Sequence, residues 1–226
     1  MDKGMVIAID GPAASGKSTT AKLVAQKLGY LYIDTGAMYR AMALKALQNG
    51  VTLSDSDAVA KLVESTTIDQ RPGPDGIRTL LDGRDVSQDI RTPEMSLAAS
   101  DISAISTVRQ RLVKLQQEMG RQGGVVMEGR DITTVVFPDA DIKVFMKADI
   151  TQRARRRLEE LKAKGAECRL EDIEKQIAER DAQDSQRADS PLTCTPDSLV
   201  IDTSALSIEQ QVEKVLEAVR QKAEMA

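Results

Sequence analysis

The stretch Met5–Thr20, MVIAIDGPAASGKSTT, constrains this chain more than any other. Met5-Val6-Ile7-Ala8-Ile9 has the length and β-branching of a buried strand. It runs into Asp10 and then Gly11-Pro12-Ala13-Ala14-Ser15-Gly16-Lys17-Ser18, followed by Thr19, and fits G-x-x-x-x-G-K-[ST] at every fixed position. Gly11 and Gly16 let the backbone wrap close to a ligand where side chains would block the approach. The loop N–H groups and a helix beginning near Lys17 present donors and a positive dipole end to phosphate oxygens. In such a loop the Lys17 amine reaches the β- and γ-phosphates and the Ser18 hydroxyl is a Mg²⁺ ligand. A Gly-rich turn that binds nothing is the bland alternative. The Lys-Ser pair, with a readable strand before it and a helix after it, points instead to a bound nucleoside triphosphate.

Composition sets limits. A chain of 226 residues suits one α/β domain, with room for a small insertion and a substantial core. A net charge of −4 gives no support for a nucleic-acid or membrane-surface protein. No run approaches the roughly eighteen apolar residues of a membrane span, and no apolar signal segment precedes the first strand. Cys168 and Cys194 are too few and too isolated for a disulfide framework or a zinc site, so a reducing cytoplasm is the expected setting. The chain has no histidine, which excludes His-based triads and His-ligated metals. Phosphoryl transfer, resting on positioning and electrostatics, needs none.

Along the chain, apolar spacing predicts a helix to Leu28 with Gly29 as its stop, then a strand Tyr30–Ile33 ending in Asp34-Thr35-Gly36-Ala37-Met38-Tyr39-Arg40. In an open parallel sheet this strand end lies near the phosphate loop, so Thr35 and Arg40 are placed to hold a second anion. The plainer possibility is that Thr35 caps the next helix and Arg40 is solvated. A helix over 37–48 follows, and a further one capped by Ser54 or Asp55. Thr66–Asp69 and Ile77–Leu81 then read as short strands around the turn-rich segment Arg71–Gly76, a β-rich insertion that is either surface decoration or a flap over a second substrate.

Helices are predicted over 92–104 and 106–120, the second with Arg109 beside its apolar stripe. Strands Val125–Met127, Ile142–Met146 and Leu199–Asp202 complete five. Glu128, after the third, either serves a metal's water shell or is a polar residue ending a strand. Arg153, Arg156 and Arg157 share one helical face, either solvated and paired with Glu159 and Glu160 or a lid closing on a phosphoryl group. Arg180, Asp184 and Arg187 lie together on a helix near 170–187, an ion-pair ladder on spacing alone. Ser207 with Gln210 fits a capping box for the last helix.

Five stretches in this order, GPAASGKST, IDTGAMYR, GVVMEGRDITTVVFPDA, RARRR and ERDAQDSQRADSPL, resemble the bacterial cytidylate kinases across essentially the whole chain. The resemblance implies a P-loop NTPase three-layer α/β/α fold with a five-stranded parallel sheet. It also implies a monophosphate-binding insert near 64–97 and a helical lid near 151–165 within one domain, 1–226. It implies transfer of the γ-phosphoryl of ATP·Mg²⁺ to CMP, and to dCMP, by a cytoplasmic monomer with small-molecule partners only. Thr35, Arg40 and Arg130 would hold the acceptor phosphate, and Ser100, Arg109 and Asp131 would read the base. Arg180, Asp184 and Arg187 would sit against the sugar and acceptor side, with Arg153 and Arg157 as lid arginines. Catalysis would rest on Lys17, Arg130, Arg153 and Arg157. One departure stands out: after Gly129-Arg130-Asp131-Ile132 the family usually has Gly, and this chain has Thr133.

The chemistry is coherent with that reading. An acceptor phosphate is already anionic and needs no general base, so the task is to align two polyanions and screen their repulsion. Two unit charges about 4 Å apart repel by about 4 kcal/mol at an effective dielectric near 20, so many cations are required. Cytosine offers an exocyclic amino donor that a carboxylate such as Asp131 accepts. Two other classes compete. A small-metabolite kinase with Asp34 as base leaves the β-rich insert unexplained. A GTP-binding switch would carry an Asn-Lys-x-Asp motif, which is absent.

Overall fold

A computed structural model describes residues 4–73, 76–163 and 165–225. The main sheet has five parallel strands, β1 (Val6–Asp10), β2 (Leu31–Asp34), β6 (Val125–Gly129), β7 (Ile142–Lys147) and β8 (Leu199–Asp202), in the order β2-β6-β1-β7-β8. Side chains of a strand alternate between faces. Ile7 and Ile9 of β1 and Val126 of β6 therefore pack with α1 (Lys17–Leu28) and α8 (Ile208–Glu224) on one side. Ala8, Val125 and Met127 pack on the other with α2 (Thr35–Gln48), α3 (Ser56–Ser65), α4 (Pro93–Ser103) and α5 (Ser106–Gly120). Helix α6 (Ile150–Ala163) and α7 (Leu170–Gln186) bury Ala154, Ile173 and Ile177 between them. The three-layer α/β/α fold is therefore the one expected.

Local chemistry explains most boundaries. Gly29 closes α1, and the Ser207–Gln210 capping box opens α8 with both reciprocal bonds made. Asp55 caps α3. Helix α2 starts two residues before the predicted 37, and its cap is Asp34, which accepts from the Ala37 N–H at 2.8 Å; Thr35 is not the cap. The Thr35 hydroxyl donates instead to the Glu128 carbonyl at 2.7 Å.

The insertion forms a separate antiparallel sheet of β3 (Ile68–Gly73), β4 (Gly76–Leu81) and β5 (Arg84–Asp85), in that order. The predicted first strand, Thr66–Asp69, is shifted: the strand starts at Ile68 and runs through Arg71-Pro72-Gly73, read from sequence as turn. Pro72 is tolerated because β3 is an outer strand, where a missing N–H need not break a ladder. Pro74 and Asp75, also in that predicted turn, lie outside the described residues, as does Lys164 of the predicted lid. Gln70 seats this sheet on β2: its amide oxygen accepts from the Asp34 N–H at 2.9 Å and its amide nitrogen donates to the Asp34 carbonyl at 2.8 Å.

Between β6 and β7 the chain makes a wide turn over Ile132–Val136, with Val136 N–H donating to Asp131 O and Phe137 N–H to Ile132 O, five residues back. Nothing in the apolar pattern foretold it.

Candidate active site

The phosphate loop leaves β1 at the carboxyl edge of the sheet, between the ends of β6 and β7. Gly11 is required by proximity: a Cβ there would stand 2.1 Å from the Met146 carbonyl oxygen. Ala14 adopts a left-handed φ of 57°, the alternation that turns successive N–H groups toward a common centre. The loop is held from behind. The Thr203 hydroxyl donates to Ser15 O at 2.8 Å, and Arg153 donates to Ala13 O at 3.3 Å. Arg156 in turn donates to both oxygens of Thr203, at 3.0 and 2.5 Å.

Lys17 is buried, donates to Pro12 O at 3.2 Å, and stands 3.9 Å from Glu128 Oε2. Burial pushes its amine down to about 7, and the Arg130 charge adds to this while Glu128 opposes it. Burial and the neighbouring Asp34 raise the Glu128 carboxyl, against Lys17 and hydrogen bonds from Ser18 and Tyr32. The Tyr32 hydroxyl donates to Glu128 Oε1 at 2.7 Å. Glu128 is therefore more than a polar strand end: it is a buried carboxylate shared by the Lys and the Ser of the motif.

Arginines surround this centre. Arg130 donates through Nε to Asp184 Oδ2 at 2.7 Å, and Arg187 stands 3.5 Å from Asp184 Oδ1. Burial works to raise the Asp184 carboxyl, but the Arg130 charge and hydrogen bond outweigh it and hold it below the ordinary range. Burial pushes Arg180 down to about 10, with the Arg130 charge contributing, and its Nε has no hydrogen-bond partner. A cation desolvated and crowded in this way favours an anion beside it. Arg40, tied to Asp34 at 3.1 Å, contributes to the field at Arg180.

A second group lies on the α4–α5 side. Arg109 and Asp131 form a buried, directly hydrogen-bonded pair. The Arg109 guanidinium lies 5.6 Å from the Tyr39 ring centroid, and the buried Tyr39 hydroxyl has no partner. The Ser100 hydroxyl donates to Gln183 Oε1 at 2.6 Å.

Many of the residues singled out from sequence thus share one field: Lys17 feels Arg130, Arg180 and Asp184, and Arg187 feels Asp184 together with Arg109 and Asp131. The lid arginines divide. Arg153 is buried, bound to Ala148 O at 3.0 Å and to Asp181 at 2.7 Å as well as to Ala13. Arg157 is partly exposed and, among the described residues, pairs with Glu160, at 3.0 Å. The solvated-face alternative therefore fails for Arg153 and Arg156, which are bound to backbone. Sequence reasoning gave no part to Tyr39, Gln183, Asp181 or the side chain of Asp10. For Asp10 the signal was available: a carboxylate directly after a buried apolar strand must find donors.

A protein-family model described as cytidylate kinase matches residues 7–221. A cytidylate kinase of Symbiobacterium thermophilum is 49% identical over 213 residues, 94% of each chain. Those of Bacillus subtilis and Chlorobaculum tepidum are also 49% identical, over 222 residues (98% of this chain, 99% of the relative) and 223 residues (96% and 93%). A crystal structure of an uncharacterized protein from Eubacterium ventriosum shares the fold, with a TM-score of 0.53 at 13% identity, covering 97% of this chain and 99% of the other. This chain belongs to the cytidylate kinase family.

Proposed function

We propose that this protein transfers the γ-phosphoryl group of ATP to CMP, and to dCMP, giving ADP and the diphosphate. The observation that carries the reading is the pairing of a phosphate loop with a second cationic cluster, Arg130, Arg180 and Arg187 around Asp184, close enough that Arg130 and Arg180 depress the Lys17 amine. The loop, Gly11 to Thr19, holds the donor phosphates. Arg40, Arg130 and Thr35 hold the acceptor phosphate, and Arg180, Asp184 and Arg187 its sugar side. Ser100, Arg109 and Asp131 face the base.

No residue need remove a proton from a phosphate acceptor. That weighs against the small-metabolite kinase reading, because Asp34 is committed to the α2 cap and to Arg40. Lys17 and the arginines screen the two polyanions as they approach, and Arg157, the least encumbered of the lid arginines, closes on the transferring group. The donor set also fits Mg²⁺. Ser18 offers an exposed hydroxyl beside Glu128, and among the described residues no cluster of three or more acidic, Cys or His side chains could form an all-protein cage. Mg²⁺ is a cation that keeps its waters and leans on substrate phosphates. When bound it neutralises charge on the β- and γ-oxygens.

The insert near 64–97 and the segment 151–165 are proposed as the two closing arms. A monomer in the cytoplasm is proposed as well, in line with two free cysteines. Among the described residues no helix is long and apolar enough to cross a membrane, and no nucleic-acid partner is proposed.

The test is a coupled ATP-to-ADP assay with Mg²⁺, offering CMP, dCMP, UMP, AMP and GMP in parallel. Turnover confined to CMP and dCMP is expected. Equal turnover with UMP would remove Asp131 as base reader, and fast turnover with no monophosphate would sink the kinase reading.

A further inference from the structure

Asp10 is a fully buried carboxylate that none of the steps above uses. It ends β1, opposite Gly129 of β6, directly before the phosphate loop. Its side chain does not serve that loop. Oδ1 accepts from the Ile132 N–H at 3.0 Å, and Oδ2 accepts from the Thr133 N–H and the Thr133 hydroxyl, both at 2.7 Å. These are the leading N–H groups of the wide turn Ile132–Val136, which have no partner within the turn itself.

The residue that would ordinarily satisfy them is Asp131. It occupies the cap position, and Asp is a preferred capping residue. Yet Asp131 makes no capping bond, because its carboxylate is turned to Arg109. Asp10 caps the turn from a neighbouring strand and so leaves the Asp131 side chain to pair with Arg109. Gly129 completes the arrangement: a Cβ there would stand 2.7 Å from both Ile132 Cδ1 and Thr35 Oγ1, so the turn lies tight on the strand end. The Asp10 charge also reaches Arg130 and favours its cationic form.

We propose that Asp10, with the hydroxyl of Thr133 as its third donor, is a positioning residue that aims Asp131 and Arg130 at the acceptor nucleotide. The proposal rests on the acceptor-side roles given above to those two residues. It also assigns work to Thr133, whose hydroxyl contributes a bond to Asp10 at 2.7 Å.

The test compares Thr133→Val, Thr133→Ser and Asp10→Asn with the parent, by steady-state kinetics and by amide hydrogen exchange over residues 131–136 of the free protein. Thr133→Val is expected to speed exchange in the turn and to raise KM for CMP about three- to tenfold, the loss of one buried hydrogen bond, with KM for ATP within about twofold. Thr133→Ser, which keeps the hydroxyl, is expected to restore both. Asp10→Asn is expected to move both further in the same direction; should it not fold, Thr133→Val still decides. Equal rises in the two KM values, or faster exchange with an unchanged KM for CMP, would overturn the positioning role. A parent inactive on CMP would instead strike the activity reading, and exchange unaltered in Thr133→Val would then overturn the clasp on its own.

Discussion

Lys17, the first residue of α1, and Glu128, near the carboxyl end of β6, stand 3.9 Å apart, beyond hydrogen-bond distance but inside a shared buried field. The pair is loose because each partner has other work: Lys17 donates to Pro12 O, and Glu128 accepts from Tyr32. A loose pair leaves the amine able to turn to phosphate oxygens.

Lys17→Ala is therefore expected to lower kcat with CMP by about 10²–10³-fold, the scale of one preorganised cationic donor. Thermal unfolding should change little, because burial already pushes this amine down to about 7 and its loss removes a desolvated charge. Kinetics together with a melting curve check both halves.

Asp131→Ala combines two effects. It removes the proposed base reader, so CMP should lose more than UMP, by about 10-fold or more in the ratio of kcat/KM. It also strands the buried Arg109 guanidinium, at a cost of about 3–5 kcal/mol in stability. The substrate ratio, measured below the melting transition, separates the two; equal loss of CMP and UMP would remove Asp131 from base reading.

Arg153→Ala and Arg157→Ala should part company. Arg153 is buried on Ala13, Ala148 and Asp181, so its loss is expected to cost stability as well as rate. Among the described residues Arg157 holds a partly exposed pair with Glu160, and its replacement should shift stability by less than about 1 kcal/mol. Its kcat should still fall about 10²-fold or more if it closes on the phosphoryl group. Denaturation midpoints set beside kcat test the split.

Burial raises the Asp10 carboxyl from 3.8 to about 6, against hydrogen bonds from Thr133 and Ile132. Between those values the folded protein holds the proton more tightly than the unfolded chain. The contribution of Asp10 to stability is therefore present at low pH and lost as pH rises through about 6. Parent minus Asp10→Asn stability, from urea titrations at pH 4.5 to 7.5, should fall with rising pH below 6, at up to about 1.4 kcal/mol per unit, and then level off. A flat difference would mean that the carboxyl is not raised.

Much of this architecture was legible in the sequence because it depends on local patterns. The strand into Gly11–Ser18, the Gly29 stop and the Ser207–Gln210 cap each follow from residues close in the chain. What was hidden depends on distant partners. The wide turn after Asp131 is held by an acceptor 122 positions away, and no periodicity reports such a bond. A capping role for Thr35, one of two alternatives on sequence, gives way because Asp34 fills that place. Arg153 and Arg157 share one helical face on spacing, yet the backbone carbonyls that separate their fates belong to other elements.

Gln70 has a consequence beyond seating the insertion. β2 is an outer strand of the main sheet, and its exposed backbone groups are the kind that recruit another strand and seed aggregates. The Gln70 amide occupies both the N–H and the C=O of Asp34 as a neighbouring strand would. A second molecule approaching edge-on finds that position taken. Gln70→Ala would open it, and light scattering at rising concentration should show more self-association in the variant than in the parent. One side chain thus stands where a neighbouring strand would pair.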